Sequence, residues 1–208
     1  RQMCIRDRFY VQDPAARSAV TIAELKPGMQ VLDACAAPGG KSFAAAIDMQ
    51  NRGSILSCDL YEKKLSLINH GAQRLGIGII TTQARDARST IDDKFDAIIA
   101  DVPCSGYGVI RKKPDIRFKS ETDRLLLPDI QYAILDNLSN ALKPDGTLIY
   151  STCTVLREEN EDVVSRFLAG HPNFETVRFT LPTGNTADGM YTFWPHIDGT
   201  DGFFVCKL

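Results

Sequence analysis

Two cysteines, Cys104 and Cys153, have the residue type and the placement that nucleophilic chemistry requires. Cys104 lies in the segment DVPCSG and Cys153 in the segment YSTCT, and each follows an apolar run that predicts a β-strand. A thiol at the end of a strand has an immobile backbone behind it and open space in front of it, which suits a nucleophile. The sequence therefore predicts paired thiol chemistry.

Composition limits the class of protein that carries these thiols. The 208 residues are 44% hydrophobic and 24% charged, which predicts one domain with a single core. Six widely spaced cysteines without a CxxC pair indicate free thiols in a reducing cytoplasm. No apolar run approaches the roughly 20 residues of a membrane span, so no membrane partner is expected. The net charge of −2 confines any nucleic-acid contact to local patches.

The order of apolar and amphipathic segments predicts how the thiols are positioned. Short apolar runs alternate with helical patterns, as in an α/β protein with a mostly parallel sheet. The predicted strands are Val31–Cys35, Ser54–Asp59, Gly78–Thr82, Phe95–Asp101, Thr147–Ser151 and a late strand Phe203–Lys207 at the sheet edge. Helices are predicted at Ser42–Ile47, along the stripe from Leu65 to Leu75, and along the stripe from Ile130 to Leu142, which Pro144-Asp145-Gly146 should end. Residues 1–8 lack periodicity and are interpreted as an irregular, non-native leader.

A glycine turn and three strand-end acids predict a binding site. The first strand ends in DACAAPGGK, Asp33 to Lys41, where small residues let a ligand approach backbone amides. Asp59, Asp86 and Asp101 each close or follow a later strand, and open α/β sheets bind ligands at that edge. This pattern favours an adenosine-containing cofactor. A nicotinamide-dependent oxidoreductase remains an alternative, because a carboxylate about 20 residues beyond a glycine turn suits that cofactor too.

Five ordered motifs give the chain a family resemblance. They are DACAAPGGK, DVPCSG, RKKPDIR (Arg111 to Arg117), YSTCT followed by EENE (Glu158 to Glu161), and DGFFVCKL (Asp201 to Leu208). Together they resemble the Sun/NSUN family of RNA cytosine carbon-5 methyltransferases, from about Phe9 to the end of the chain. The segments VQDPAA and WPHIDGTDGFF are similar to the bacterial RsmB-like branch, which methylates 16S ribosomal RNA.

The resemblance implies a fold, a reaction and a partner. The implied fold is Rossmann-like, with a mostly parallel seven-stranded sheet and helices on both faces. The implied reaction is S-adenosylmethionine-dependent methylation of cytosine carbon 5 in small-subunit ribosomal RNA, by a monomeric protein. Residues 9–208 would form the catalytic domain, and an N-terminal RNA-binding region would be absent. A DNA or tRNA cytosine methyltransferase and a noncatalytic RNA-binding module remain alternatives.

The resemblance also assigns roles to the motif residues. Cys153 matches the nucleophile and Cys104 matches the cysteine that assists release of the methylated base. A Pro-Cys nucleophile, as in DNA enzymes, would instead be Cys104. The cofactor would lie with its ribose against Asp59, its adenine near Asp86, and its methionine end over the glycine turn. The predicted binding residues are Cys35, Ala36, Ala37, Pro38, Gly39, Gly40, Lys41, Asp59, Asp86 and Asp101, and Asp101 would accept from either the cofactor amine or the cytosine.

Charged segments complete the predictions. Arg111, Lys112, Lys113, Arg117 and Lys119 follow the Cys104 segment and are predicted to contact RNA phosphates. The glutamates of EENE are predicted to form the first turn of a helix with Thr152 or Thr154 near its cap. The three histidines have no metal-ligand spacing, so no metal is expected. The side chains of Cys35, Cys58 and Cys206 are expected to pack as small apolar groups.

Overall fold

The computed structural model describes residues 9–118 and 120–208. The predicted leader, residues 1–8, and the basic residue Lys119 therefore lie outside the described residues. Within the described parts of the chain, no helix is both long and apolar enough to span a bilayer.

A seven-stranded sheet organises the domain. Its strands are β1 Gln30–Asp33, β2 Ser54–Asp59, β3 Ile80–Ala84, β4 Phe95–Asp101, β5 Leu142–Thr152, β8 Met190–Phe193 and β9 Phe203–Lys207. Strands β6 Phe179–Thr180 and β7 Thr186–Ala187 form a separate two-stranded sheet. The order of strands across the large sheet is β3-β2-β1-β4-β5-β9-β8. Strands β1 to β5 pair in parallel, whereas β9 pairs antiparallel with both β5 and β8. The predicted α/β fold with a mostly parallel seven-stranded sheet is thus confirmed.

Helices cover both faces of the sheet. Their bounds are α1 Pro14–Thr21, α2 Gly40–Asp48, α3 Glu62–Leu75, α4 Glu121–Leu125, α5 Leu127–Ser139, α6 Glu161–Gly170 and α7 Pro195–Asp198. One buried cluster joins α1 and α2 to strand residues such as Val31 and Ile149, and another joins α5 and α6 to Leu32 and Leu148. Neighbouring strand residues thus face opposite layers, as the two-residue period of a strand requires. Helices on both faces were predicted from the family resemblance.

Several predicted boundaries need correction. Strand β1 ends at Asp33, so Cys35 lies in the turn rather than in the strand. Strand β3 is shifted two residues toward the C-terminus, and α2 begins at Gly40 rather than at Ser42. Strand β9 does not form the sheet edge, because β8 pairs with its outer side. The sequence pattern of β8 is too short to have been recognised.

The segment Pro144-Asp145-Gly146 is also corrected. Helix α5 ends at Ser139, and β5 runs from Leu142 through these residues to Thr152. The register with β4 shifts between the pairs Phe95–Leu142 and Ala97–Thr147, and Asp145 takes a left-handed φ of 59°. An irregularity of this kind places turn-forming residues inside a strand without ending it.

Candidate active site

Two adjacent central strands bring the predicted thiols together. Asp101, the last residue of β4, pairs in register with Ser151 of β5. Cys153 directly follows the end of β5, and Cys104 lies three residues beyond Asp101. The two Sγ atoms are 3.1 Å apart. The parallel register therefore places both strand ends, and both thiols, at one point of the sheet edge.

The surroundings of the two thiols differ. The Cys153 N–H donates to Cys104 Sγ over 3.3 Å. A hydrogen bond from Cys104 lowers the pKa of the Cys153 thiol, and it outweighs burial and the negative charge of Asp101, which raise that pKa. The same thiol–thiol contact, together with burial, raises the pKa of Cys104. The pKa of Cys153 is thus shifted downward and that of Cys104 upward, which makes Cys153 the better candidate for a nucleophile.

A partly buried ion pair lies beside the thiols. Lys41 Nζ donates to Asp101 Oδ2 over 2.6 Å, and Ser151 Oγ donates to Asp101 Oδ1 over 2.8 Å. Burial alone would lower the pKa of Lys41, but the charge and hydrogen bond of Asp101 raise it above its usual value. Lys41 is therefore a fixed cation, and its charge also lowers the pKa of the Cys153 thiol.

A second carboxyl group, Asp33, was not singled out from the sequence. Its Oδ2 accepts a 2.6 Å hydrogen bond from Ser42 Oγ, which lies 2.7 Å from Ser57 Oγ. Asp33 is fully buried, and burial raises its pKa to about 6. Its other oxygen, Oδ1, has no hydrogen-bond partner among the described residues. The predicted first strand extends to Cys35, so Asp33 lies inside it and nothing in the local pattern indicates its contact with Ser42.

A cavity of about 370 Å³ opens at the ends of β2, β3 and β4. It is lined by Ala34, Cys35, Ala37, Asp59, Leu60, Tyr61, Lys64, Arg85, Asp86, Ala87, Arg88, Asp101, Pro103, Ile130 and Ile134. Three strand-end carboxylates thus share the cavity with an apolar wall. This volume and this mixture fit a nucleoside cofactor whose hydroxyl and amino groups need acceptors.

The three carboxylates that line this cavity differ in how strongly protein groups already occupy them. Asp59 Oδ1 accepts the N–H of Tyr61 over 3.0 Å, while its side chain stays mostly buried at the cavity wall. Asp86 is held by Arg88, whose guanidinium lies 2.6 Å away and lowers the pKa of the carboxyl. The predicted contacts of Asp59 with ribose and of Asp86 with adenine stay predictions.

A second cavity of about 470 Å³ lies against the first. It is lined by Tyr10, Val11, Gln12, Asp13, Ala16, Asp33, Cys35, Ala36, Ala37, Pro38, Gly40, Lys41, Asp101, Val109, Lys112, Lys113, Cys153 and Asp201. Cys35, Ala37 and Asp101 line both cavities. Gly39 lines neither cavity, and a Cβ there would meet the ring of Phe43 at 2.5 Å. The nucleophile candidate thus faces a compartment that shares a wall with the predicted cofactor cavity.

The predicted helix start at EENE is correct only for Glu161, since Glu158 and Glu159 precede the helix. Residues Arg157–Glu159 form a 3-10 turn, and α6 begins only at Glu161, with Asn160 as the residue before it. Glu159 is fully buried and accepts hydrogen bonds from Ser105 and Gln131. These tertiary partners draw the carboxylate inward. Thr152 and Thr154 bond to Asn160 instead of capping the helix.

The basic stretch after Cys104 divides into two kinds of residue. Lys112 Nζ lies 2.6 Å from Asp201 Oδ2 and 3.1 Å from Asp13 Oδ2, so its charge is already neutralised. Arg111, Lys113 and Arg117 remain exposed. Arg111 is 3.6 Å from Asp201 at its nearest approach. Arg111, Lys113 and Arg117 therefore face solvent, while Lys112, half-exposed and engaged by two carboxylates, lines the second cavity together with Lys113.

Comparison with known proteins agrees with this geometry. Residues 20–208 match a family model described as 16S rRNA methyltransferase RsmB/F. The chain is 42% identical over 209 aligned residues to the probable ribosomal RNA small subunit methyltransferase B of Bacillus subtilis, covering 95% of this chain and 47% of that protein. The chain thus spans about half the length of the curated relatives it matches.

Solved structures extend the likeness to three dimensions. The crystal structure of PH0851 matches with a TM-score of 0.87 at 32% identity, over 95% of this chain and 46% of that one. NSun6 from Pyrococcus horikoshii, solved with SFG, matches with a TM-score of 0.83 at 28% identity, over 96% of this chain and 52% of that one. From the family match, the shared fold and the site geometry, we conclude that the chain belongs to the 16S rRNA methyltransferase RsmB/F family.

Proposed function

We propose that this domain transfers a methyl group from S-adenosylmethionine to carbon 5 of a cytosine in RNA, and that the RNA is small-subunit ribosomal RNA. The observation that carries the proposal is the position of the thiol pair, 3.1 Å apart beside a wall that two cavities share. The relatives named as small-subunit ribosomal RNA methyltransferases support the substrate. NSun6, solved with the S-adenosylmethionine analogue SFG, supports the cofactor.

Cys153 is the proposed nucleophile. Carbon 5 of cytosine is a weak nucleophile, so a thiolate must first add to carbon 6 and make carbon 5 electron-rich. The hydrogen bond from Cys104 and the charge of Lys41 both lower the pKa of the Cys153 thiol, which favours its thiolate form. Bound S-adenosylmethionine supplies the electrophilic methyl group.

Cys104 is the proposed partner in product release. After methylation, one proton must leave carbon 5 while the bond between carbon 6 and Cys153 Sγ breaks and its electron pair returns to the sulfur. Cys104 Sγ lies 3.1 Å from that sulfur, so it is placed to assist this elimination. Asp101 lines both cavities and can accept a hydrogen bond from the cofactor amine or from the exocyclic amine of the base.

The RNA would approach the second cavity. A stacked, paired cytosine cannot reach a thiol at the end of a strand, so the base must be unpaired or flipped out. Arg111, Lys113 and Arg117 are exposed beside the Cys104 loop and suit the flanking phosphates. We further propose that residues 9–208 act as a monomeric catalytic domain in the cytoplasm, which is consistent with five free cysteines among the described residues.

Covalent trapping tests the proposal. RNA containing 5-azacytidine should form a stable adduct whose cross-linked peptide contains Cys153, because the modified ring cannot complete elimination. Cys153→Ala should abolish both the adduct and radiolabelled methyl transfer, whereas Cys104→Ala should accumulate the adduct with unmodified RNA. Cys206→Ala, at a buried cysteine in β9, is the matched control. Methyl transfer by Cys153→Ala at the native rate would refute the assignment.

The same trap separates the alternatives. An adduct on Cys104 would support the arrangement of DNA cytosine methyltransferases. Neither adduct nor methyl transfer with any RNA or DNA substrate would support a noncatalytic RNA-binding module. Membership in a methyltransferase family leaves the nicotinamide-dependent oxidoreductase without support.

A further inference from the structure

Three buried polar side chains hold the backbone on both sides of each cysteine of the site. They belong to Gln131, Glu159 and Asn160, and we call these three residues the buried clamp. The residues that flank Cys104 and Cys153 are hydrogen-bonded to them. All three side chains are fully buried. None of them lines either cavity at the sheet edge. The clamp is therefore behind the site rather than in it.

The clamp holds the Cys104 loop from both sides of the cysteine. Glu159 Oε2 accepts the N–H of Ser105 over 2.9 Å. Gln131 Nε2 donates to Pro103 O over 3.0 Å and to Glu159 Oε2 over 2.9 Å. The residues on either side of Cys104 are thus tied to one carboxylate. These hydrogen bonds are 3.0 Å or shorter, so the backbone on both sides of Cys104 is anchored to the clamp.

The clamp holds the Cys153 segment in the same way. Thr152 Oγ1 donates to Asn160 Oδ1 over 2.6 Å, and Asn160 Nδ2 donates to the Thr154 carbonyl over 3.1 Å. Ser105 Oγ donates to Thr154 Oγ1 over 2.9 Å, which joins the two segments directly. Tyr150 OH donates to the Glu159 carbonyl over 2.5 Å and fixes the turn that carries the carboxylate.

We infer that Glu159 is a positioning residue for the thiol pair: its carboxylate fastens the Cys104 segment, which Ser105 Oγ links to Thr154 in the Cys153 segment, and it thereby sets the approach of Cys104 Sγ to Cys153 Sγ. This inference deepens the proposed function, on which it rests. Glu159 has no contact with the base or the cofactor in this scheme. Its effect passes through the hydrogen bond between the two thiols, because that bond exists only while both segments are held in register.

The acceptor oxygen of Glu159 explains why a polar residue occupies this buried position. A buried polar group without a partner is costly, so a glutamate in the core requires a compensating role. Glu159 Oε2 accepts two donors, while Oε1 has no hydrogen-bond partner among the described residues. A single acceptor atom therefore carries the Cys104 loop. An apolar residue of the same shape would keep the packing and lose that attachment.

The test measures thiol reactivity and needs no RNA. Cys153 is alkylated with iodoacetamide across a pH series, and its rate is read from the labelled peptide by mass spectrometry. Glu159→Leu should move the midpoint of the Cys153 profile upward and slow its alkylation at pH 7 by about tenfold, the effect of roughly one pKa unit. Glu159→Gln keeps one acceptor oxygen and should recover most of the native rate. Glu158→Gln, an exposed neighbour paired with Arg124, should equal the native protein.

A double-mutant cycle separates positioning from general destabilisation. Cys104→Ala removes the donor and should shift the Cys153 profile at least as far as Glu159→Leu does. In the Cys104→Ala background, Glu159→Leu should cause no further shift, because the bond through which it acts is already gone. Ile55→Val, a core substitution in β2, controls for lost stability and should leave the profile unchanged.

The possible outcomes are decisive. A native Cys153 profile in folded Glu159→Leu, or a full additional shift in the Cys104→Ala background, would overturn the inference. If Glu159→Leu does not fold, Gln131→Met removes the donor to Pro103 O and should shift the profile in the same direction, and an unchanged profile there would overturn the inference as well. Failure of RNA methylation with intact thiol coupling would instead count against the proposed function alone.

Discussion

The two cysteines differ in what surrounds their sulfur atoms, although both follow central strands. The two Sγ atoms are 3.1 Å apart and either thiol can donate, while Cys104 Sγ also accepts the Cys153 N–H. The pKa of the Cys153 thiol is lowered by its contact with Cys104 and by the charge of Lys41, whereas the pKa of Cys104 is raised by the thiol contact and by burial. The difference in pKa has the direction that the family resemblance assigns to a Cys153 nucleophile.

The raised pKa of Asp33 predicts how the free energy of unfolding depends on pH. Its pKa is about 6 in the folded protein and 3.8 in the ordinary carboxyl, so the native state binds more protons than the unfolded state between those values. Stability contributed by Asp33 is therefore full below about pH 4 and falls as pH rises through about 6. Asp33→Asn should raise the free energy of unfolding at pH 7 by up to about 3 kcal/mol and leave it little changed at pH 4.

Urea denaturation at pH 4 and pH 7 measures this difference. Asp96→Asn is the matched control, and its effect on stability at pH 7 should be opposite to that of Asp33→Asn. Hydrogen bonds from the Gln30 N–H and from Lys143 lower the pKa of Asp96, so its ionised form is the one that the fold stabilises. That variant should lose stability at pH 7. A less stable Asp33→Asn protein at pH 7 would contradict the expected cost of burying this charge.

Residue-scale features were only partly predictable from the sequence. Asp59, Asp86 and Asp101 were recognised because each closes or follows a strand, and the structure places all three in one cavity. Asp33 was missed because a single acid inside a predicted strand does not indicate the Ser42 hydroxyl that it meets, and Glu159 was missed because its partners lie on distant segments. Glu159 meets Ser105, which is 54 residues away in sequence. Local patterns carry no information about such partners.

At the scale of elements, the site depends on a close crossing of two loops. Gly108 follows the Cys104 loop, and its N–H donates to the Cys153 carbonyl over 3.0 Å. Its own carbonyl accepts the N–H of Gly202 over 2.9 Å. A Cβ at Gly108 would lie 1.9 Å from Gly202 O, and a Cβ at Gly202 would lie 2.7 Å from Gly108 Cα. Only glycine permits this approach.

Gly108→Ala should therefore separate the two loops. The forced backbone shift should cost roughly 1–3 kcal/mol of stability, as overpacking does elsewhere. It should also slow alkylation of Cys153, whose carbonyl loses its partner. Gly78→Ala is the control, because a Cβ there meets nothing within 4 Å and should change stability by only about 0.4–1 kcal/mol, in the stabilising direction.

Thermal unfolding and alkylation rates check this pair of variants. Equal melting temperatures for the two alanine variants would show that the crossing tolerates a side chain.

Elements without such crossings were well predicted: β2 and β4 have the bounds that their apolar runs indicated. The prediction failed at β5, because the left-handed Asp145 lets a turn sequence continue as a strand.

At the scale of the whole molecule, charge is unevenly distributed. The net charge is −2, yet three exposed cations cluster beside the Cys104 loop. Lys112 belongs to the same run of sequence but is paired with Asp13 and Asp201. Sequence alone could not separate it from its neighbours, because its partners lie 99 and 89 residues away.

Salt dependence of RNA binding should reveal this division. Each lost phosphate contact with single-stranded RNA lowers the slope of log K against log salt by about 0.7, so the variant Arg111→Ala/Lys113→Ala/Arg117→Ala should lower it by up to about 2. Lys112→Ala should leave the slope unchanged, since its charge is already neutralised. Fluorescence anisotropy of a labelled small-subunit RNA fragment over a salt series provides the measurement. An equal loss of slope in the triple variant and in Lys112→Ala would contradict the distinction between the three exposed cations and the paired Lys112.

The short distance from each strand end to its thiol restricts how chains with this fold can vary in length. Cys153 follows Thr152 without an intervening residue, and only Val102 and Pro103 separate Asp101 from Cys104. One inserted residue would displace a thiol by about 3.3 Å, more than the 3.1 Å between the two sulfur atoms. Insertions there would separate the pair, whereas the exposed segment around Arg117 can gain or lose residues while the two sulfurs stay in contact.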